Sequence, residues 1–434
     1  MLNKKLRYIS LFTNIIILII VLISPSLLIS IIVQKFGFNN PLYFQILYFI
    51  FAMFFCFTFK SKIALTKFQN QIKNIFIIII IWFFIVWILK YSFTFTATST
   101  KGYILTYSYG ILLYYLLNSD NTNLYSFFNA YILLSSILAT LSLVQYIGYP
   151  IGLIKVSYLT NDITEGLSPY RGIGGYLDTF SYGGAFTWLN RNVGFFSEPT
   201  YFSQFLQIPM FLSFALYNYS KKKMYLIHSL LMLCAFILTF SIANIFGFLF
   251  AISIYLLLTA MNKKRDFLFR LFLVVLFLGS ILFFKEFYNL TNIQKRENII
   301  AKSTDSNIDD RFYRVSLIID DPSAALMGNI NFRHNFRRNL SFFGTCIMGG
   351  GYPFALTMFF LLLLIYNNVY KKISGSKFPY LYVGYFSILL PTLWVADFWQ
   401  THFVFLLVFV VTFMKWELKL SNHRAFDSNI KGHL

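Results

Sequence analysis

Charge is scarce in this chain. Asp, Glu, Lys and Arg together make up 12% of its 434 residues, about half the ~25% share of a soluble domain. With 58% hydrophobic and 21% aromatic residues, that scarcity excludes a soluble enzyme, a disordered chain and a fibrous protein. Acid is scarcer than base: 16 Asp and Glu stand against 36 Lys and Arg, a formal charge of +20. On a soluble protein such an excess would suggest nucleic acid, so the place of each charge has to be settled first. Cysteine is nearly absent. Cys56, Cys234 and Cys346 are scattered through apolar runs. They make neither a disulfide framework nor a metal site and read as small packing residues.

What the chain has instead is long apolar runs. A spanning helix needs about 20 mostly apolar residues, and that ruler finds about twelve segments. They cover roughly 8–33, 41–59, 75–95, 102–118, 124–147, 199–217, 224–240, 242–260, 267–284, 345–366, 378–396 and 399–415. The expected fold class is therefore all-α: residues 1–434 form a single integral membrane domain with two long external loops, 148–198 and 285–344, carrying short helices. The first run follows Lys4, Lys5 and Arg7, is too long for a signal peptide core and has no small-residue cleavage site after it. It reads as an uncleaved signal anchor.

Orientation follows from the basic residues of the connections. With a cytoplasmic N-terminus, every short Lys/Arg cluster falls inside: 21 bases against Asp120, Asp266, Glu417 and Asp427, a net +17. The outside keeps 15 bases and 12 acids, a net +3. Both termini are expected in the cytoplasm. The inside charge then meets anionic lipid headgroups and says nothing of nucleic acid.

Arginine and lysine are sorted between the two sides. Of 12 Arg, eight are external: Arg171, Arg191, Arg296, Arg311, Arg314, Arg333, Arg337 and Arg338. Of 24 Lys, seven are external. A guanidinium offers a rigid, always-charged fork for phosphate or carboxylate, where an ammonium offers a point charge. The pattern points to phosphate binding, with pairing to the seven acids of the second loop as the competing reading.

Two constellations stand in the loops. Arg191-Asn-Val-Gly-Phe-Phe-Ser-Glu198-Pro199 ends the first loop and opens the sixth span. Pro199 suits the first helical position and Ser197 or Glu198 the cap. The helix start offers free N–H groups and a positive dipole end to an anion, and Arg191 adds charge. A plain helix start, with Glu198 paired to a nearby Arg, fits the same residues. In the second loop, Arg311 and Arg314 share one face of a short helix at i, i+3. After a break at Asp320-Asp321-Pro322, residues 331–340 read as another short helix, with Asn331 as cap and His334 and Arg338 on one face beside Arg337. His334 is the one histidine inside either long loop. Clustered cations disfavour its charged form, and a neutral imidazole can act as a general base. A merely structural histidine remains the alternative.

The sequence contains no Walker A motif, no H-E-x-x-H, no C-x-x-C and no D-x-D, and the first external loop near 34–40 has no acid. Metal-dependent membrane glycosyltransferases with an acidic first loop are disfavoured. Asp309-Asp310 and Asp320-Asp321 suit salt bridges to Arg311 and Arg314 better than a cation site.

On these residues the chain resembles the O-antigen polymerase/ligase superfamily, comprising the Wzy-type polysaccharide polymerases and WaaL-type O-antigen ligases. The resemblance covers the whole plan of spans, termini and a large external loop before the last helices. Its most specific motifs are Arg191…Gly194…Glu198-Pro199 and His334-Asn335…Leu340…Phe343-Gly344, with Arg311…Arg314…Pro322…Gly328 between them. The chain departs in lacking a Trp after the loop arginine and in reducing a G-x-G to Gly328-Asn329.

The resemblance implies a metal-independent, inverting glycosyltransferase of the GT-C type without a cofactor, in the bacterial inner membrane. The donor would be a glycan on undecaprenyl pyrophosphate, and the acceptor the terminal sugar of another lipid-linked repeat unit. It further implies membrane lipids and a chain-length regulator protein as partners. Arg191, Arg311 and Arg314 would hold the pyrophosphate with help from Arg337 and Arg338. His334 would be the base, and Glu198 would orient Arg191. A ligase shares this chemistry and differs in its acceptor, lipid A–core. A lipid-linked oligosaccharide flippase is the alternative of another class. It should place charge inside its spans, and here the spans are nearly free of ionisable residues.

Overall fold

The computed structural model describes residues 2–18, 66–91, 112–148, 199–241, 244–245, 247–253, 342–376, 378–385 and 408–417. It also describes residues 151, 153, 157–158, 169–172, 175–178, 191–194, 326–328 and 387. Six helices carry the frame: α1 Leu2–Leu18, α2 Lys67–Tyr91, α3 Asn121–Gly148, α4 Pro199–Ser220, α5 Lys223–Ile237 and α6 Phe342–Gly375. Shorter helical pieces occupy 112–118, 247–253, 379–385 and 408–417. Ten of the twelve expected spans thus contain described helix, and the runs at 41–59 and 267–284 lie outside the described residues.

Two of the described helical stretches, Asn121–Gly148 and Gly350–Val369, are long and apolar enough to cross a membrane. Their neighbours fit the same surroundings. Ile77, Ile78, Ile81, Ile85 and Leu89 are all exposed along α2, and Leu356, Phe359, Phe360 and Leu363 along α6. So continuous an apolar surface is foreign to water and suits a hydrocarbon solvent. Between the helices the packing is aromatic. Phe128 lies edge-on to Phe409 and Trp416, at centroid distances of 5.3 and 5.5 Å. Phe378 meets Phe413 at 5.4 Å. Such pairs contribute ~0.5–1.5 kcal/mol each beyond their burial.

Helix boundaries follow local chemistry that a hydropathy window does not register. α2 starts well before its apolar run because Thr66 and Gln69 form a capping box. The Gln69 N–H donates to Thr66 Oγ1 at 3.2 Å, and the Thr66 N–H donates to Gln69 Oε1 at 3.0 Å, satisfying two donors reciprocally. Asp120 caps α3, its Oδ1 accepting from the Asn123 N–H at 2.7 Å. At the end of helix 112–118, buried Lys415 donates to the carbonyls of Leu116 (3.3 Å), Leu117 and Ser119 (2.8 Å), placing a cation on the negative end of the helix dipole. α6 is two helices joined at a kink. Gly351 has φ 75°, Pro353 supplies no N–H, and the Gly350 carbonyl accepts the Trp82 indole N–H at 2.7 Å.

Contacts collect at two opposite ends. At one, Ser10 donates to Asn123 at 2.8 Å, Tyr225 Oη to Asn129 at 3.0 Å, and Tyr382 Oη to Glu417 at 2.6 Å. Glu417 also accepts from Ser376 and lies 3.7 Å from Lys372 Nζ. Exposed Lys221, Lys222 and Lys223 follow α4 at the same end. At the other end lie Gly148, Leu238 and the start of α4.

The segment 148–198 is where expectation and structure part. Short helices are expected there. The described residues instead form a four-stranded antiparallel sheet: β1 Ser157–Tyr158, β2 Pro169–Gly172, β3 Gly175–Asp178 and β4 Arg191–Gly194, in the order β1-β2-β3-β4. The stretch lacks a 3.6-residue apolar period and is rich in Gly and Tyr. The backbone groups of its described strands are satisfied by pairing with a neighbour, not along a helix. β2 and β3 are two residues apart and close on Gly172 opposite Gly175, the spacing of a tight hairpin.

Candidate functional site

β4 begins at Arg191, the first residue of the sequence-derived anion site. Its Cα partner on β3 is Asp178. The register then shifts: Leu177 faces Asn192 and Tyr176 faces Gly194. Val193 is thereby left as the extra residue of a bulge, which bends a strand and re-aims its residues. Gly194 takes the left-handed conformation this needs, at φ 57°.

Asn192 fastens the strand. It is 1% exposed, and its backbone N–H and both side-chain polar atoms are engaged. Its backbone N–H donates to the Leu238 carbonyl, just past the end of α5, at 3.0 Å. Its side-chain Nδ2 donates to Ser142 Oγ on α3 at 3.1 Å, and Ser142 Oγ in turn donates to the Ala139 carbonyl at 2.8 Å. Its Oδ1 accepts the Gly194 N–H at 3.1 Å. In a poorly solvated surrounding an unmade bond of this kind costs about 1–3 kcal/mol. The network continues through the turn after α5. Thr239 Oγ1 donates to the Phe236 carbonyl at 2.7 Å, and Asn244 Nδ2 donates to Ser241 Oγ at 2.9 Å and also to Ser203 Oγ on α4. A polar collar thus joins α3, β4, α4, α5 and the segment after α5.

Successive strand residues alternate between faces. Asn192 belongs to the face buried against α3. Asp178 is paired with Arg191, and Pro169 with Asp178.

α4 starts at Pro199, as expected for a proline at the first helical position. Its Phe202 ring packs where a Cβ on Gly194 would stand, at 2.8 Å, so strand end and helix start are in contact. Two further motif elements are visible. Gly328 has φ 77°, the conformation of a glycine turn, and Phe343-Gly344 falls in the first turn of α6. Glu198, Arg311, Arg314, His334, Arg337 and Arg338 lie outside the described residues. Of the cysteines, Cys346 is buried and Cys234 exposed, both free thiols, and Cys56 lies outside the described residues.

Sequence reasoning passed over Asn192, Ser142 and Asn244. The available signal was polar side chains inside otherwise apolar runs, which in membrane helices serve as interhelical hydrogen-bond donors and acceptors. Comparison with family models, with curated proteins and with solved structures finds no match to this chain.

Proposed function

We propose that the protein is a polysaccharide polymerase of the bacterial inner membrane, with about twelve spans, cytoplasmic termini and its active site on the external face. The substrate is a repeat unit carried on undecaprenyl pyrophosphate. His334 accepts the proton of an acceptor sugar hydroxyl while that oxygen attacks the anomeric carbon of the donor. The bond from that carbon to the pyrophosphate oxygen breaks, so configuration inverts and undecaprenyl pyrophosphate leaves with the bonding electrons. Arg191, Arg311 and Arg314 stabilise the charge developing on it, with Arg337 and Arg338 beside them and Glu198 orienting Arg191. The proton taken by His334 passes to solvent.

The observation that carries the reading is the position of Arg191. It heads a strand fastened to the ends of α3 and α5, eight residues before the first residue of α4, and at the end of the helices remote from Lys221, Lys222 and Lys223. An arginine on a strand that leads into a helix start, away from the lysine-rich side, suits a lipid pyrophosphate at the external interface. The test is product length in cells. His334→Ala should abolish the long-chain ladder, and Arg311→Lys, which keeps charge but loses the fork, should shorten it. Wild-type ladders from both variants would refute these roles.

A further inference from the structure

Arg191 is one residue from Asn192, a side chain fastened to the helices, and that proximity has a chemical use. A guanidinium recognises a phosphate ester by two parallel N–H···O bonds, which demands a fixed backbone beneath it. Strands of two to four residues do not provide that alone, because an isolated short hairpin is marginal in water. Asn192 supplies it. Its three hydrogen bonds, to Leu238, Ser142 and Gly194, tie the strand to two helices and close the bulge. Phe202, packed on Gly194, ties the same strand to the third.

We infer that Asn192 is the positioning residue for Arg191: it fixes the backbone of β4 on which Arg191 stands, and so the grip on the ligand's pyrophosphate. The inference rests on the proposed function of Arg191. Asn192 itself faces the helix bundle and touches no substrate.

The test uses the purified full-length chain and two probes in detergent: undecaprenyl pyrophosphate, and uncharged undecaprenol as a control for the lipid tail. Arg191→Ala should weaken undecaprenyl pyrophosphate about tenfold, the loss expected on removing one charge-assisted contact, and leave undecaprenol unchanged. Asn192→Ala keeps the backbone bond to Leu238 and should show the same selective loss. In the double variant the loss should be no larger than in Arg191→Ala, because the two act as one unit. Ser142→Ala removes the acceptor of Asn192 Nδ2 from the helix side and should produce a smaller selective loss. It serves as the decisive variant if Asn192→Ala does not fold. Wild-type binding in folded Asn192→Ala or Ser142→Ala overturns the inference. So does a double-variant loss equal to the product of the single losses, or an equal weakening of both probes, since a general packing role would give those. Unchanged pyrophosphate binding in Arg191→Ala would instead overturn the proposed role of Arg191 itself.

Discussion

Gly194 combines a left-handed backbone, φ 57°, with a phenyl ring 2.8 Å from where a Cβ would sit. Any side chain there strains the bulge and pushes Phe202 off the start of α4. Gly194→Ala should therefore cost on the order of 1–3 kcal/mol, seen as a lower midpoint for thermal loss of monodisperse protein in detergent. An unchanged midpoint would mean that the bulge is not built as described. At this scale the sequence was readable where a residue's chemistry is local. Pro199 announced a helix start on its own, and Arg191 stood out because the segments expected outside hold more arginines than lysines. Asn192 was not readable, because its meaning lies in Ser142, 50 positions away, and in a carbonyl after α5. Those partners become visible only when the helices are packed.

The elements show the same division. Apolar length marked the helices, because a continuous hydrophobic run needs no tertiary context to be recognised. Helix ends lie beyond the apolar runs where a cap decides them: Thr66 and Gln69 start α2 about two turns before its run, and Asp120 fixes the start of α3. The sheet was missed because strands this short carry too few residues for a period-2 pattern. Their stability comes from pairing and from the collar beneath. The kink in α6 supplies a test at this scale. There the Gly350 carbonyl accepts the Trp82 N–H at 2.7 Å, so Trp82→Phe keeps the ring packing and removes only the donor. That should cost about 1–2 kcal/mol and speed amide exchange around 350–354, read by hydrogen–deuterium exchange. Exchange identical to wild type would show that the kink is held by Gly351 and Pro353 without Trp82.

At the scale of the whole molecule, the two ends of the helices differ in the charge they carry among the described residues. Among the described residues, Lys221, Lys222 and Lys223 lie at one pole of the helices and a strand headed by Arg191 at the other. In a variant lacking Cys56, Cys234 and Cys346, a cysteine at exposed Leu153 should react with a membrane-impermeant maleimide on intact cells. A cysteine at exposed Lys222 should react only after permeabilisation, and the reverse pattern would invert the proposed orientation. The central claim is that this chain itself joins lipid-linked repeats. It is tested most directly by giving the purified protein, with EDTA present, a single undecaprenyl-pyrophosphate-linked repeat unit as both donor and acceptor. The account predicts a ladder of lengthened lipid-linked chains, one undecaprenyl pyrophosphate released per bond formed, and neither product from His334→Ala. Repeats that stay single in that assay, yet cross the bilayer intact when the protein is placed in vesicles, would contradict it and identify a flippase.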